Sequence, residues 1–470
     1  MAHIRILKHY VHFPFLILGF LELCACMLAI YAAVPTRLLI GDINYSFEHT
    51  DLFYSALAYG IVILISMNAM GVYQARLSEG RTGMALRTLV AFVIGSLVFP
   101  IFYYISSDIF GVIWRSVLVL ATLYAVLFTV LIRVLFYTFV DENIFKRNVL
   151  VLGTGKRAQG LLEDFRKPED WKGVHLVGFY PFEGDEVVVD EHKVIKTPLG
   201  IMDYVLAHGI DEIVIAVDDR RKKLPLEELM ACKLEGIEVV QESIFTERET
   251  RKVPLNVISP GWFIFSDGFK TSALGSILKR SFDVVASLIL LLVTWPFILI
   301  TVACIKFEEG LKAPVFYKQV RVGINGEPFE VIKFRSMRVD AEKGGQAIWA
   351  SKNDDRVTRV GAVIRKYRID ELPQLFNVLK GEMAFVGPRP ERPVFVEKLA
   401  NNIPYYNERH RVKPGITGWA QLCFDYADSE EDSKEKLRYD LYYIKNNSLM
   451  LDFLILLQTV EVVLFKKGAH

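Results

Sequence analysis

The sequence predicts a mixed membrane protein: a bundle of four transmembrane helices, then an α/β unit, then a second soluble region joined through one bent apolar helix. Three observations carry this. Four stretches, 13–34, 52–73, 86–106 and 112–137, have the length and apolarity of spanning helices. Residues 148–245 alternate short apolar strands with helical periodicity. A fifth apolar stretch carries a proline at its centre and is followed by sequence dense in Gly, Pro, Arg, Asp and Glu.

The chain has 470 residues, too many for one typical core, and combines 52% hydrophobic with 23% charged residues. Net charge is +1, so nothing global argues for nucleic acid and any basic site must be local. The five cysteines are scattered, with no CxxC or Cys/His zinc spacing, which argues against a disulfide framework and against a structural metal.

The bundle occupies 1–140. Arg5 and Lys8 precede the first span, Arg76, Arg81 and Arg87 flank the loop after the second, and Lys146 and Arg147 follow the fourth. The opposite loops, 35–51 and 107–111, contribute only Arg37 and carry Asp42, Glu48, Asp51 and Asp108. By the positive-inside rule both ends of the bundle face the cytoplasm, with both soluble parts on the cytoplasmic side. A soluble amphipathic bundle would instead need a very large apolar partner for the same runs.

Residues 146–250 read as a Rossmann-like α/β domain. The segments "NVLVLGTG", "LVGFY", "DEIVIAV" and "IEVVQ" are strands, and "KRAQGLLEDFRK" and "PLEELMACKLEG" are helices, an alternation that argues for a parallel sheet with crossover helices. Gly153, Gly155 and Ala158 fit G-x-G-x-x-A, which can seat a pyrophosphate at a helix N-terminus. No acidic residue ends the second strand to hold a ribose, since "GFYPF" occupies that place, so a structural or oligomerising unit is the preferred expectation.

Residues 251–278 read as a linker. The next segment, "FDVVASLILLLVTWPFILITVACIK", has Lys279 and Arg280 before it and Lys306 after it. Its length could span a bilayer, but Pro296 removes a hydrogen bond at its middle, and two half-helices of about eleven residues reach only about 17 Å each. A helix over 281–306 that enters, bends at Pro296 and leaves on the same face fits this pattern; a kinked true span is the alternative. The last apolar stretch carries Asp452, Gln458 and Glu461 and ends in Lys466 and Lys467, which suits an interfacial helix better than a further span.

The chemistry concentrates at "KYRIDELPQLFNVLKGEMAFVGPRPERP", 366–393. Pro373 can open a helix whose apolar face is Leu375, Phe376, Val378 and Leu379 and whose end is Gly381, which places Asp370 and Glu371 at a helix N-terminus. An N-cap alone would explain one acid there. The surroundings ask for more: Lys333, Arg335, Arg365, Arg368, Arg389 and Arg392 lie in flanking segments, and guanidinium forks suit phosphate oxygens. Paired carboxylates suit a hard divalent cation, and a carboxylate can attack phosphorus to form an acyl phosphate. The pattern points to diphosphate substrates at a membrane surface.

At these residues the sequence resembles the bacterial sugar transferases, the large monotopic-type phosphoglycosyl transferases that act on polyprenyl phosphate. The resemblance covers 279–465 in order, through "KRSFDVVASLILLLVTWP", "PVFYKQVRVGINGEPFEVIKFRSM", "NDDRVTRVGAVIRKYRIDELPQLFNVLKGEMAFVGPRPE", "VKPGITGWAQ" and "YDLYYIKNNSLMLDFLILLQTV". It implies a mainly α phosphoglycosyl transferase domain over 279–470 with a re-entrant membrane helix and a C-terminal interfacial helix. The four spans and the α/β domain resemble, more loosely, the N-terminal part of the fused members that initiate exopolysaccharide or O-antigen assembly. The resemblance implies that Asp370 is the nucleophile on the β-phosphate of a UDP-sugar, with Glu371 its partner in binding Mg²⁺. UMP leaves, and undecaprenyl phosphate takes the sugar phosphate from Asp370. Arg365, Lys333 and Arg335, and the loop of Pro388, Arg389 and Pro390, are implied contacts to phosphate or nucleotide. The family often has Ser-Pro at the helix bend; here Trp295 precedes Pro296, and Thr294 is the candidate replacement donor.

Two further readings stay open at this stage. One is a non-catalytic membrane scaffold or regulator of polysaccharide export with a nucleotide-sensing α/β domain. The other is a dinucleotide-dependent enzyme centred on Gly153, Gly155 and Ala158. A second copy of the chain is a further candidate partner, and the transferred sugar is not legible.

Overall fold

The computed structural model describes residues 3–6, 9–41, 49–70, 72–73, 81–105, 115–139, 146–338 and 356–465, except 166–167, 172, 183–184, 219–223, 259, 267, 270–271 and 425–428. Lys8, Asp42, Glu48, Arg76, Asp108, Lys466 and Lys467, used above to read orientation and the C-terminal end, lie outside the described residues. The protein is mostly helical, with a small parallel sheet, and the chain divides into two units, Met1–Thr250 and Arg251–His470.

The first unit opens with a hairpin, β1 (His3–Ile6) and β2 (His9–His12), that sequence reading did not anticipate. Four helices follow, Phe13–Gly41, His49–Ala69, Arg81–Ile105 and Arg115–Phe139. Leu16–Leu39, Leu52–Ala69 and Ser116–Phe136 are long and apolar enough to cross a membrane, while the described apolar stretch of the third helix, Arg87–Ile101, is shorter. Small and apolar side chains such as Ala29, Ala33, Ala56, Ile63, Ala121 and Ala125 face inward with no exposure. Glu22 and Arg133 are buried in the bundle and paired at 2.5 Å, so their charges are satisfied by protein rather than lipid.

The sheet of this unit joins β3 (Arg147–Leu152), β4 (Val174–Tyr180), β5 (Glu212–Ile215) and β6 (Glu238–Gln241), all parallel, in the order β4-β3-β5-β6. The central strand β3 is covered on both faces, which is why its sequence is a continuous apolar run rather than an alternation. On one face Leu150, Leu152 and Ile213 pack with Ile201, Tyr204, Val205, Leu229 and Cys232 from the helices Ile201–Ala207 and Leu226–Leu234. On the other, Val149, Val151 and Val214 pack with Ala158, Leu161 and Phe245 from Lys156–Asp164 and Glu242–Thr250. The helix Glu242–Thr250, rich in charged residues, was not foreseen. In the fold Arg248 and Arg147 clasp the fully buried Glu212 at 2.6 and 2.5 Å.

In the second unit, the stretch read as a linker contributes to the core. Val253 is fully buried, its N–H donates to Arg438 O, and Trp419 Nε1 donates to Arg251 O. The helix Ala273–Glu309 then runs for 37 residues, unbroken through Pro296, with Ser272 as its N-cap. Thr294 Oγ1 donates to Leu290 O at 2.6 Å, so this hydroxyl does turn back onto the helix backbone just before the proline. Side chains between 288 and 300 stand bare, among them Leu292, Val293, Trp295, Phe297 and Ile300. The buried side chains flank that stretch, Asp283 and Ser287 before it and Thr301 and Ile305 after it, while Leu274, Ile277 and Phe307 nearer the ends are exposed.

Beyond it lie an antiparallel hairpin, β7 (Phe316–Val322) and β8 (Pro328–Phe334), and a two-stranded parallel pair, β9 (Ala384–Val386) and β10 (Gly415–Thr417). The hairpin is a correction to the reading of poor strand alternation after 307. Burial does alternate along β7, but its inward side chains are Tyr317, Gln319 and Arg321, which a hydrophobic pattern does not register. Asn325 and Gly326 make its turn, both with positive φ, 57° and 83°. The core of the unit gathers Val386, Val396, Tyr406, Trp419, Leu437, Leu441 and Ile455, the last on the C-terminal helix Leu449–Phe465.

Candidate active site

The segment bearing the two acids is assembled from short elements. Thr358 caps the helix Arg359–Lys366 by accepting from Gly361 N at 2.9 Å, and a Cβ on Gly361 would stand 2.0 Å from Ser336 O. Arg368 then turns left-handed, φ 57°, into a 3-10 turn over Ile369–Glu371. A non-glycine residue in that region costs of order 1 kcal/mol and is held by its surroundings. Pro373 precedes the helix Gln374–Lys380, which ends at Gly381, φ 89°, as the sequence suggests. Leu375 and Val378 are its buried face; Phe376 is exposed.

Asp370 and Glu371 are both buried, each 8% exposed. Glu371 Oε1 accepts from Lys333 Nζ at 3.0 Å and from Arg389 Nη2 at 3.1 Å, with Arg368 Nη1 at 3.9 Å. Asp370 differs: its Oδ1 is buried with no hydrogen-bond partner. Burial would raise both carboxyls, but their neighbours separate them. For Glu371 the fields of Lys333, Arg389 and Arg368 outweigh burial and hold it well below the usual carboxylate range. For Asp370 burial and then the charge of Glu371 push the pKa up, against Lys333, Arg368 and Arg365. Adjacent carboxyls driven in opposite directions are a common mark of divided chemical labour.

Each cation is aimed by its own scaffold. Lys333 lies near the end of β8, and β8 is stitched to the dyad helix by the fully buried Asn377. Its Oδ1 accepts from Ile332 N at 3.0 Å, and its Nδ2 donates to Glu330 O at 2.7 Å. Burial, partly offset by Glu371, lowers the Lys333 pKa. Arg389 sits between the buried Pro388 and Pro390. Gly387 ahead of it packs so closely that a Cβ would meet Lys413 O at 2.4 Å. Behind the loop, the buried Arg409 donates to Arg389 O at 3.0 Å and to Tyr406 OH at 2.7 Å, and pairs with Asp440 at 2.8 Å. Arg321 Nη1 donates to Pro390 O at 3.1 Å.

Lys333, Arg389, Asp370 and Glu371 therefore converge. Arg365, half-buried, acts on Asp370 through its field. Arg335 instead donates through Nε to Pro314 O at 3.0 Å. Sequence reasoning missed Asn377 and Asp440. A polar residue inside an otherwise apolar helix face was the available signal for Asn377.

The glycine loop of the first unit has another character. Gly153, φ 118°, lies against Ala216, where a Cβ would stand 2.6 Å from the carbonyl oxygen, and Ala158 is fully buried. At the helix start, Lys156 N donates to Asp218 Oδ2 at 2.9 Å and Arg157 N to Asp218 Oδ1 at 2.8 Å. A Cβ on Gly155 would stand 2.2 Å from the same carboxylate. A phosphate entering this loop would have to displace Asp218.

Residues 274–466 match the bacterial sugar transferase family. An Aeromonas hydrophila UDP-N-acetylgalactosamine-undecaprenyl-phosphate N-acetylgalactosaminephosphotransferase is 42% identical over 242 residues, 52% of this chain and 56% of that protein. A Klebsiella pneumoniae UDP-glucose:undecaprenyl-phosphate glucose-1-phosphate transferase is 33% identical over 336 residues, 69% of each chain. A Salmonella typhimurium undecaprenyl-phosphate galactose phosphotransferase is 29% identical over 416 residues, 82% of this chain and 81% of that one. The chain belongs to the bacterial sugar transferase family, enzymes that work on undecaprenyl phosphate in these relatives.

Proposed function

We propose that this enzyme transfers a sugar 1-phosphate from a UDP-sugar to undecaprenyl phosphate, as the first step of assembling an exopolysaccharide. The observation that carries the reading is the buried, unpartnered Oδ1 of Asp370 beside a Glu371 already engaged by Lys333 and Arg389. An oxygen without a partner inside a protein is costly, and beside the converging Lys333 and Arg389 it is open to a further group.

In the first half-reaction a carboxylate oxygen of Asp370 bonds to the β-phosphorus of the UDP-sugar. The bond from that phosphorus to the oxygen bridging to the α-phosphate breaks, and UMP departs with its electron pair. In the second, a phosphate oxygen of undecaprenyl phosphate attacks the same phosphorus and releases Asp370 as carboxylate. Arg389 and Lys333 neutralise charge gathering on the phosphoryl oxygens, and Arg365 does so from the Asp370 side. The donor set fits Mg²⁺: Asp370 and Glu371 are hard oxygen ligands, and Oδ1 of Asp370 is unclaimed. When bound, the ion would offset phosphate charge.

We read 1–140 as a four-helix membrane domain, 146–250 as a Rossmann-like domain and 279–470 as the catalytic domain, in an inner membrane with both soluble parts cytoplasmic. The helix Ala273–Glu309 is read as re-entrant. Asp283 at its start bonds Phe385 N, and Ile305 near its end packs with Phe334 and Ile364, so both ends meet the same soluble unit while the middle is bare. Labelling of a cysteine placed at 306 should be as slow from the periplasm as at 279; fast periplasmic labelling would sink this topology. The chemistry is tested with UDP-glucose, UDP-galactose and UDP-N-acetylgalactosamine, undecaprenyl phosphate and Mg²⁺. UMP release that chelation and Asp370→Asn both stop is expected, and turnover by Asp370→Asn would overturn the reading.

A further inference from the structure

The basic pair before the long apolar helix reads, in sequence, as a topology signal. In the fold those side chains are spent inside the catalytic unit. Arg280 Nη1 donates to Val378 O at 2.6 Å and Nη2 to Leu379 O at 2.7 Å, the carbonyls at the end of the dyad helix. One turn on, the buried Asp283 Oδ1 accepts from Phe385 N at 3.0 Å, and Lys279 Nζ donates to Val386 O at 3.2 Å. Those two contacts hold β9, which leads directly into the loop of Pro388, Arg389 and Pro390.

The other end of the same helix does the complementary job. Glu308 accepts from Arg359 N and Val360 N, each at 2.9 Å, capping the helix that leads into the dyad from upstream. Ile298, Val302 and Ile305 pack with Ile364, Ile369 and Leu372, and the last two flank Asp370 and Glu371 directly. One membrane helix thus grips the chain before the dyad, after it, and at the root of Arg389.

We infer that Arg280 and Asp283 are positioning residues: from the membrane helix they set the distance between the Asp370–Glu371 turn and the Arg389 loop. The inference rests on the proposed function for what that distance serves. Arg280 supplies a cation to the carbonyl end of the dyad helix, where the helix dipole favours it and where Val378 O, already accepting from Gly381 N, and Leu379 O both receive its guanidinium. Asp283 supplies an acceptor to a backbone N–H that would otherwise be buried unpaired. Neither touches substrate. Their effect is geometric, and a misplacement of about 1 Å between reacting groups can cost about a hundredfold in rate.

The full-length protein in phosphatidylglycerol-containing nanodiscs, with UMP release as readout, tests this. Arg280→Gln and Asp283→Ala should lower kcat by about tenfold or more, with KM for the UDP-sugar within about twofold. Asp283→Asn keeps an acceptor for Phe385 N and should recover most of the loss. Arg280→Lys keeps the charge at the membrane face but loses the two-pronged contact, and should recover only part. A pure topology signal predicts wild-type kcat for Arg280→Lys, and that result overturns the inference. So does a loss that appears only as fewer active molecules or a lower melting temperature, with kcat per active molecule unchanged. If Arg280→Gln does not accumulate, Arg280→Lys and the Asp283 pair decide. Asp370→Asn, run alongside, separates the two claims: its turnover would remove the proposed chemistry, whereas an inactive Asp370→Asn beside fully active Arg280 and Asp283 variants would remove only the positioning role.

Discussion

Among the helix starts that carry carboxylates, the one at Lys156 and the one following Glu371 have opposite balances. At Lys156 the exposed N–H groups are matched by both oxygens of Asp218, and the glycine that would admit a phosphate admits that carboxylate instead. At the dyad one carboxyl is over-supplied with cations and the other has a buried oxygen that nothing meets. The first start matches a better-known sequence fingerprint; the second has the unmet chemical demand. A sequence fingerprint does not report whether the polar groups it names are already satisfied within the fold.

The sharpest way to break the contrast is Asp370→Asn. UMP release should fall by at least about a thousandfold, since an amide is no nucleophile for phosphorus. Glu371→Gln should cost about a hundredfold, as Lys333 and Arg389 lose the charge that aims them. The pH profile offers a finer cut. Because Asp370 is held up by burial and by Glu371, the acidic limb of kcat/KM should lie above the ordinary Asp range. Lys333→Met removes a group that pulls Asp370 down, so that limb should move to higher pH; a limb that stays put would argue that another group titrates.

Stability gives a smaller and independent signal. A carboxyl raised in the fold contributes most below the unfolded pKa, and that contribution is lost as pH rises through the folded value. Asp370→Asn, which mimics the protonated form, should therefore raise the melting temperature by a few degrees at neutral pH, with the gain vanishing in acid. Glu371→Gln should do the reverse at neutral pH, because its depressed pKa stabilises the fold above the ordinary Glu range and is lost as pH falls. The smallest effect belongs to the other helix start. Asp218→Ala should leave UMP release unchanged, cost about 1 kcal/mol as a lost cap, and let inorganic pyrophosphate protect the unit against heating. Equal protection of the unaltered protein would erase the contrast.

Much of this was legible beforehand for local reasons. The turn from Pro373 to Gly381 follows from proline tolerance at a helix start and glycine tolerance of positive φ, and the strands of the parallel sheet follow from their apolar runs. The hairpin of β7 and β8 was hidden because β7 turns Tyr317, Gln319 and Arg321 inward, although β8 buries Val331 and Phe334. The charged helix Glu242–Thr250 was hidden because its charges pair in three dimensions with Arg147 and Glu212, residues far away in sequence.

The sequence by itself determined the apolar lengths that mark a membrane protein, the paired acids and the arginine-bearing proline loop, because these are properties of residue type and close spacing. Only the tertiary structure decided which cations meet Glu371, which oxygen of Asp370 stays unmet, and that Asp218 fills the glycine loop. It also turned Lys279 and Arg280 from flanking charges into internal contacts, Lys279 through a 2.5 Å pair with the buried Asp452 and Arg280 through two carbonyls. The reason is that hydrogen bonds and ion pairs act over a few ångströms of space, and the partners here are separated by tens to hundreds of residues along the chain.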